Sequence, residues 1–130
     1  MSSCAASVAV TPETFLITTT GALDLDAIGP FEDALSQAAQ SLSRCTVLDL
    51  SRVTFADSTC LNVLLAARVA HAAARRPWAI AGPYAHQIRR LLAVTGADRV
   101  LPLAPDLPAA RRLAGYPDDE GPGTAPVAAA

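Results

Sequence analysis

Lysine is absent from this 130-residue chain, and all ten basic residues are arginine. Against twelve acidic residues the formal net charge is −2. No region is basic enough for nucleic-acid binding to be the main role. The missing lysine, beside abundant Ala, Arg and Pro, fits a GC-rich bacterial genome and says nothing about chemistry. No apolar run approaches the roughly 18 residues of a membrane span. The N-terminus, MSSCAASVAV, lacks the basic start of a secretion signal. A cytoplasmic protein with no membrane contact is therefore expected. The three cysteines, Cys4, Cys45 and Cys60, are odd in number and form no CxxC pair, so neither a disulfide framework nor a zinc site is implied. His71 and His86 have no carboxylate or thiol cluster beside them, which argues against a metal site. A Gly-x-x-x-x-Gly-Lys-Ser/Thr phosphate loop is missing too, so any ATP would arrive with a partner, and neither a cofactor nor a small-molecule substrate is expected.

What is present reads as one globular domain. The chain is 52% hydrophobic, and its length suffices to bury most of its apolar surface in a single core. Ala6 to Val10 is a weak strand, and Thr14 to Thr20 is a β-branched, apolar second strand, expected to pair with it as a hairpin and to end at Gly21. Ile28, Phe31, Leu35, Ala38 and Leu42 recur every three or four residues. That is the core stripe of an amphipathic helix, with Asp24 or Asp26 as its cap and Pro30 in its first turn. Pro77 to Ala81 reads as a strand, Gly82-Pro83 as a turn, and Tyr84 to Val94 as a helix closed by Gly96. Val100 to Leu103 is a last short strand and Pro108 to Leu113 a short fourth helix. Alternating strands and helices imply an α/β domain over residues 6–114: a mixed sheet of four to five strands with three to four helices packed on it. Residues 1–5 and the Pro/Gly/Ala-rich stretch 115–130 are expected to be disordered.

The organising stretch is Thr46 to Leu65, TVLDLSRVTFADSTCLNVLL. Thr46 to Leu50 is a buried-strand pattern, and Ser51 to Phe55 reads as a connector. Asp57, Ser58 and Thr59 supply three consecutive N-cap candidates before Leu61, Leu64, Leu65 and Val69, in a helix expected over residues 58–74. A hydroxyl is thereby set at the positive end of a helix, just past a core strand. Free N–H groups and the helix dipole favour an anion there.

The run Asp49-Leu50-Ser51-x-Val53-x-Phe55-x-Asp57-Ser58-Thr59-x-Leu61 resembles the signature of the STAS domain, above all that of bacterial anti-sigma factor antagonists. In that family the first hydroxyl residue after the Asp is phosphorylated by an anti-sigma factor that is itself a serine kinase; the matching residue here is Ser58. The resemblance implies that Asp57 orients the acceptor; Thr59, the next hydroxyl in the chain, is a second candidate acceptor behind Ser58. Cys60 stands where the family usually has Gly and is counted with Asp57 and Thr59 among the residues expected to orient the acceptor or meet the partner. Gly21-Ala22-Leu23-Asp24 is similar to the family's Gly-Glu-Leu-Asp turn, which lies near the phosphorylation site, so Gly21, Leu23 and Asp24 join the expected partner surface.

The resemblance implies a non-enzymatic regulator that binds an anti-sigma factor kinase, is released by phosphorylation, and is reset by a phosphatase. From local chemistry alone, Asp57 and Ser58 are helix caps and residues 21–24 a plain strand-to-helix connection. A STAS scaffold without phosphorylation, as a subunit of a signalling or lipid-transport assembly, stays open as the alternative. A hydrolase built on Cys60 would need a base. His71 lies eleven residues along the same helix, about 16 Å away at 1.5 Å per residue, so Cys60 reads better as a small buried hydrophobe.

Overall fold

The computed structural model describes residues 5–115. The strands are β1 (Ala5–Val10), β2 (Thr14–Leu23), β3 (Cys45–Ala56), β4 (Trp78–Ala81) and β5 (Leu103–Ala104). The helices are α1 (Ile28–Gln40), α2 (Ser58–Ala73), α3 (His86–Thr95) and α4 (Leu107–Leu113), with a single 3₁₀ turn at Ala97–Arg99. The α/β architecture expected from the sequence is what forms. The stretches expected to be disordered lie outside the described residues except at Ala5, in β1, and Gly115.

The five strands stand side by side in chain order, β1 antiparallel to β2 and the rest parallel. A tight turn suffices for the first pair, whereas each parallel pair needs a crossover. Right-handed crossovers that always step the same way put their helices on one face of the sheet. Accordingly α1, α2 and α3 share one core, which includes Phe31, Leu48, Leu50, Ile80 and Leu64. The chain then turns under β5, and α4 packs on the opposite face over Cys45, Val47, Ala79, Ala81 and Ala104. Both faces of β3 and β4 are thus covered, which explains why apolar residues in Thr46 to Leu50 do not simply alternate with polar ones: Val47 faces α4 while Leu48 and Leu50 face the three-helix side. The alanines under α4 let that short helix approach the sheet closely.

Several boundaries differ from the sequence expectation. Gly21 does not end β2, which continues to Leu23; its φ of 89° absorbs a register shift between Gly21 and Ala22. Ser51 to Phe55 is no connector but part of the second half of β3, where Arg52, Val53 and Phe55 pair with Thr20, Gly21 and Ala22. Its polar residues are admissible because β4 accompanies β3 only as far as Asp49. Helix α1 stops at Gln40, and Leu42 is 98% exposed. The Ser41 hydroxyl accepts the Ser43 N–H at 3.0 Å, a local turn that competes with further helix. Neither Asp24 nor Asp26 occupies the α1 N-cap, which is Ala27; Asp24 instead accepts the Ala27 N–H one turn earlier, at 3.2 Å. Tyr84 precedes α3, its hydroxyl 2.8 Å from the carbonyls of Ile80 and Ala104, and burial pushes its pKa up to about 12. Val100 and Leu101 turn back onto the Ala97 carbonyl, so the last strand begins only at Leu103. Helix α4 starts one residue before Pro108, with Asp106 capping the Ala109 N–H at 2.9 Å.

One buried histidine makes stability sensitive to acid. His71, in the last turn of α2, is 0% exposed and stacks on Trp78 at 5.0 Å. Its Nδ1–H donates to the Ala67 carbonyl at 2.8 Å, so Nε2 accepts from the Thr46 hydroxyl at 3.1 Å. Burial holds its pKa below 6.5, and the Arg76 charge pushes the same way. The unfolded chain therefore takes up this proton first as pH falls. Stability is expected to decline below about pH 6.5, by at most about 1.4 kcal/mol per pH unit from this group. Urea unfolding of wild type and His71→Gln at pH 7.5 and 5.0 checks this: the wild type should lose more stability than the variant.

Candidate functional site

The site lies where β3 hands over to α2. Asp57 is the α2 N-cap: with extended backbone, φ −115° and ψ −170°, its Oδ1 accepts the Thr59 N–H at 2.9 Å. One of the helix's orphan donors is thereby satisfied, and a carboxylate sits at the positive end of the dipole. Of the three N-cap candidates, Asp57 thus takes the role, and Ser58 becomes the first helical residue. Ser58 is exposed, Thr59 half-buried, and Cys60 only 2% exposed.

The Gly21–Asp24 stretch runs alongside. Gly21 pairs with Val53, Ala22 with Phe55 and Leu23 with Ala56, and the Asp57 N–H donates to the Leu23 carbonyl at 3.4 Å. The fold therefore brings together the two segments singled out by sequence. It does not give all their side chains to the surface. Leu23 is 0% exposed and lines the same small interior space as Cys60, with Leu50, Val53, Leu64 and Ile88. In this conformation neither side chain is available to a partner; both pack beneath the turn. The thiol at the position where the family usually has Gly does not protrude beside Ser58. Gly21 and Asp24 are half-buried.

Three residues around the turn escaped sequence reasoning. Leu25 is 70% exposed and Phe55 41% exposed, two large apolar side chains at the end of the sheet that carries Ser58. Phe55 belongs to the signature run but, read as part of a connector, carries no site role in the sequence; its pairing with Ala22 sets it beside the Gly21–Asp24 segment. The third is Gln87, in the first turn of α3. Its Oε1 accepts the Ala56 N–H at 3.0 Å, and its Nε2 donates to the Ala56 carbonyl at 2.8 Å. Ala56 is 2% exposed and has no β4 neighbour, so without this amide its backbone groups would be buried and unpaired, each costing about 1–3 kcal/mol. A lone Gln in a helix offers no periodicity or spacing by which sequence could find it.

Among the described residues no group of three or more His, Cys, Asp or Glu is placed to hold a metal ion. None of the described helices is long and apolar enough to cross a membrane. His71 is committed to Ala67 and Thr46 and does not serve Cys60. The chemistry that remains at the turn is an exposed serine at a helix N-terminus, on a backbone held by the Asp57 cap.

The sequence matches the family model described as Mlab, STAS domain, over residues 6–104. The chain belongs to the STAS family. No curated protein matches the sequence. Among solved structures, this STAS domain is similar to an anti-sigma factor antagonist from Mycobacterium paratuberculosis, with a TM-score of 0.77 and 22% identity over 86% of this chain and 94% of that one. It is also similar to the anti-sigma factor antagonist SpoIIAA in its unphosphorylated form, with a TM-score of 0.69 and 22% identity over 85% and 97% of the two chains. The phosphorylated form of the Bacillus SpoIIAA gives 0.60 and 21% over 84% and 99%. At these identities the likeness is one of fold.

Proposed function

We propose that this STAS protein is an anti-sigma factor antagonist that works by partner switching. Unphosphorylated, it binds an anti-sigma factor that is a serine kinase, and the sigma factor is set free. The kinase, which brings its own ATP, phosphorylates Ser58 and the complex comes apart; a phosphatase resets the protein. The observation that carries this reading is the exposed Ser58 hydroxyl, first in α2, on a turn held by the Asp57 cap. Two exposed apolar side chains, Leu25 and Phe55, at the same end of the sheet offer a partner the apolar contact that interface centres use. The phosphorylated and unphosphorylated SpoIIAA structures of like fold lend support to the same reading. Phosphate adds about −1.5 to −2 charge. At a helix N-terminus the fold tolerates it, whereas beside Asp57 and against a docked partner it repels. The switch therefore acts on an interface and leaves the fold in place.

The same geometry is also that of a plain capped helix start, which suits a second reading, a STAS scaffold or subunit of a signalling or transport assembly in which Ser58 is only a helical residue. One experiment separates the two. The full chain is used to capture partners from a lysate of its own bacterium, and the captured complex is given ATP. The switch reading expects an ATP-binding kinase that places phosphate on Ser58 of wild type and none on Ser58→Ala. A stable partner that never modifies Ser58 sinks the switch and leaves the assembly subunit.

A further inference from the structure

The peptide unit that leads into the acceptor turn is held from both sides. On one side the Asp57 N–H reaches the Leu23 carbonyl in β2. Backbone groups of successive strand residues point to opposite edges, so the N–H and C=O of Ala56 face the other way. There β4 has already ended, since its last partner in β3 is Asp49. The Gln87 amide takes the place of the missing strand. A side-chain amide is chemically a peptide group, with one donor and one acceptor facing one way, and Gln87 uses both on Ala56, at 2.8 and 3.0 Å. The Ala56–Asp57 peptide plane is thus fixed by Gln87 through its oxygen and by Leu23 through its hydrogen. Asp57 follows directly and caps α2, and Ser58 follows Asp57. Between this clamp and the acceptor residue the backbone is held further by the Asp57 carboxylate on the Thr59 N–H.

We infer that Gln87 is a positioning residue for the phosphorylation of Ser58: it sets the direction in which the chain enters α2 and therefore where the acceptor residue is placed. The inference rests on the switch reading given above. Phosphoryl transfer depends chiefly on in-line placement of the attacking oxygen and on charge stabilisation, and the protein substrate contributes the former. Gln87 touches neither Ser58 nor a kinase; it acts through Ala56 and Asp57. Helix α3, which has no other role in the proposed switch, is by this contact part of the acceptor's scaffold.

The test compares wild type, Gln87→Leu and Ile88→Val in the full chain. Leu removes both hydrogen bonds with little change in size. Ile88 is the next residue of α3, 3% exposed, and its truncation weakens the same helix and the apolar packing beneath the turn while leaving both Gln87–Ala56 hydrogen bonds in place, so it controls for loss of packing. Two quantities are read. The first is amide hydrogen exchange at Asp57 and Thr59, which needs no partner. The second is the rate of Ser58 phosphorylation by the captured kinase, separated into kcat and KM. Gln87→Leu should speed exchange at Asp57 and Thr59 about tenfold or more relative to Ile88→Val, and lower kcat about tenfold with KM changed little, since small misplacements of a reacting atom have effects of that order or larger. Equal exchange and equal kcat in the two variants would show that Gln87 supports α3 alone and would overturn the inference. If wild-type Ser58 receives no phosphate, the switch reading falls, and with it the kinetic role of Gln87. The exchange data then still decide whether Gln87 holds the turn.

Discussion

Ser58→Glu is expected to weaken binding to the anti-sigma factor by at least about a hundredfold while leaving the melting temperature within a few degrees of wild type. Both halves follow from where Ser58 sits. It is exposed and first in α2, so a longer side chain meets solvent and not the core. An acidic side chain in the first turn also complements the helix dipole, by about 0.3–1 kcal/mol. The fold therefore gains slightly or is unchanged. In a complex the same carboxylate stands beside Asp57 and faces a surface built for a neutral hydroxyl. Leaving a charge buried without a partner costs about 3–5 kcal/mol, which is about two to three and a half decades in Kd at about 1.4 kcal/mol per decade. Ser58→Ala should bind as wild type does, because loss of one exposed hydroxyl removes little. Calorimetric titration of the captured kinase with the three proteins, alongside thermal melts, gives both numbers. Equal affinities for wild type and Ser58→Glu would mean that partners do not dock on this turn.

That the turn could be found from sequence at all is a matter of how its information is stored. Asp57 announces a cap because capping is local chemistry: a short acceptor side chain, a following helix, and an N–H two residues on. The stripe at Ile28, Phe31, Leu35 and Ala38 is legible for the same reason, since its spacing reports one face of one helix. Features that depend on distant partners are not legible. The second half of β3 looked like a connector because Ser51, Arg52 and Thr54 are polar, and only the absence of β4 beyond Asp49 makes polar residues suitable there. Leu42 continued the α1 stripe in sequence and lies outside the helix in fact, because Ser41 turns the chain first. Leu23 resembles a member of a surface turn, yet its register opposite Ala56 sends it into the core. Gln87 reaches Ala56 across 31 residues, and no local pattern could have announced it.

Phe31→Ala is expected to have the largest effect on the fold itself. Phe31 is a large residue at 0% exposure, in the cluster shared by Ile17, Leu35, Leu48 and Ile80. It projects from the first turn of α1, the helix that packs on both α2 and β2. Truncation removes the transfer free energy of the ring and leaves a cavity that the flanking helices can only partly close, together about 3–5 kcal/mol. Against a total stability of about 5–15 kcal/mol, that is about a fifth or more of what holds the domain together, and a fall in melting temperature of about 10 to 20 °C follows. Urea unfolding of the two proteins measures it directly, and the slope with denaturant should stay the same if only stability has changed. A loss below about 1 kcal/mol would contradict the burial of Phe31 between α1 and the sheet. The comparison with Ser58→Glu then separates two kinds of residue that a binding assay alone would confuse. Phe31→Ala lowers the fraction of molecules able to bind and should bring that loss back on cooling, whereas Ser58→Glu leaves every molecule folded and none of them complementary to the partner.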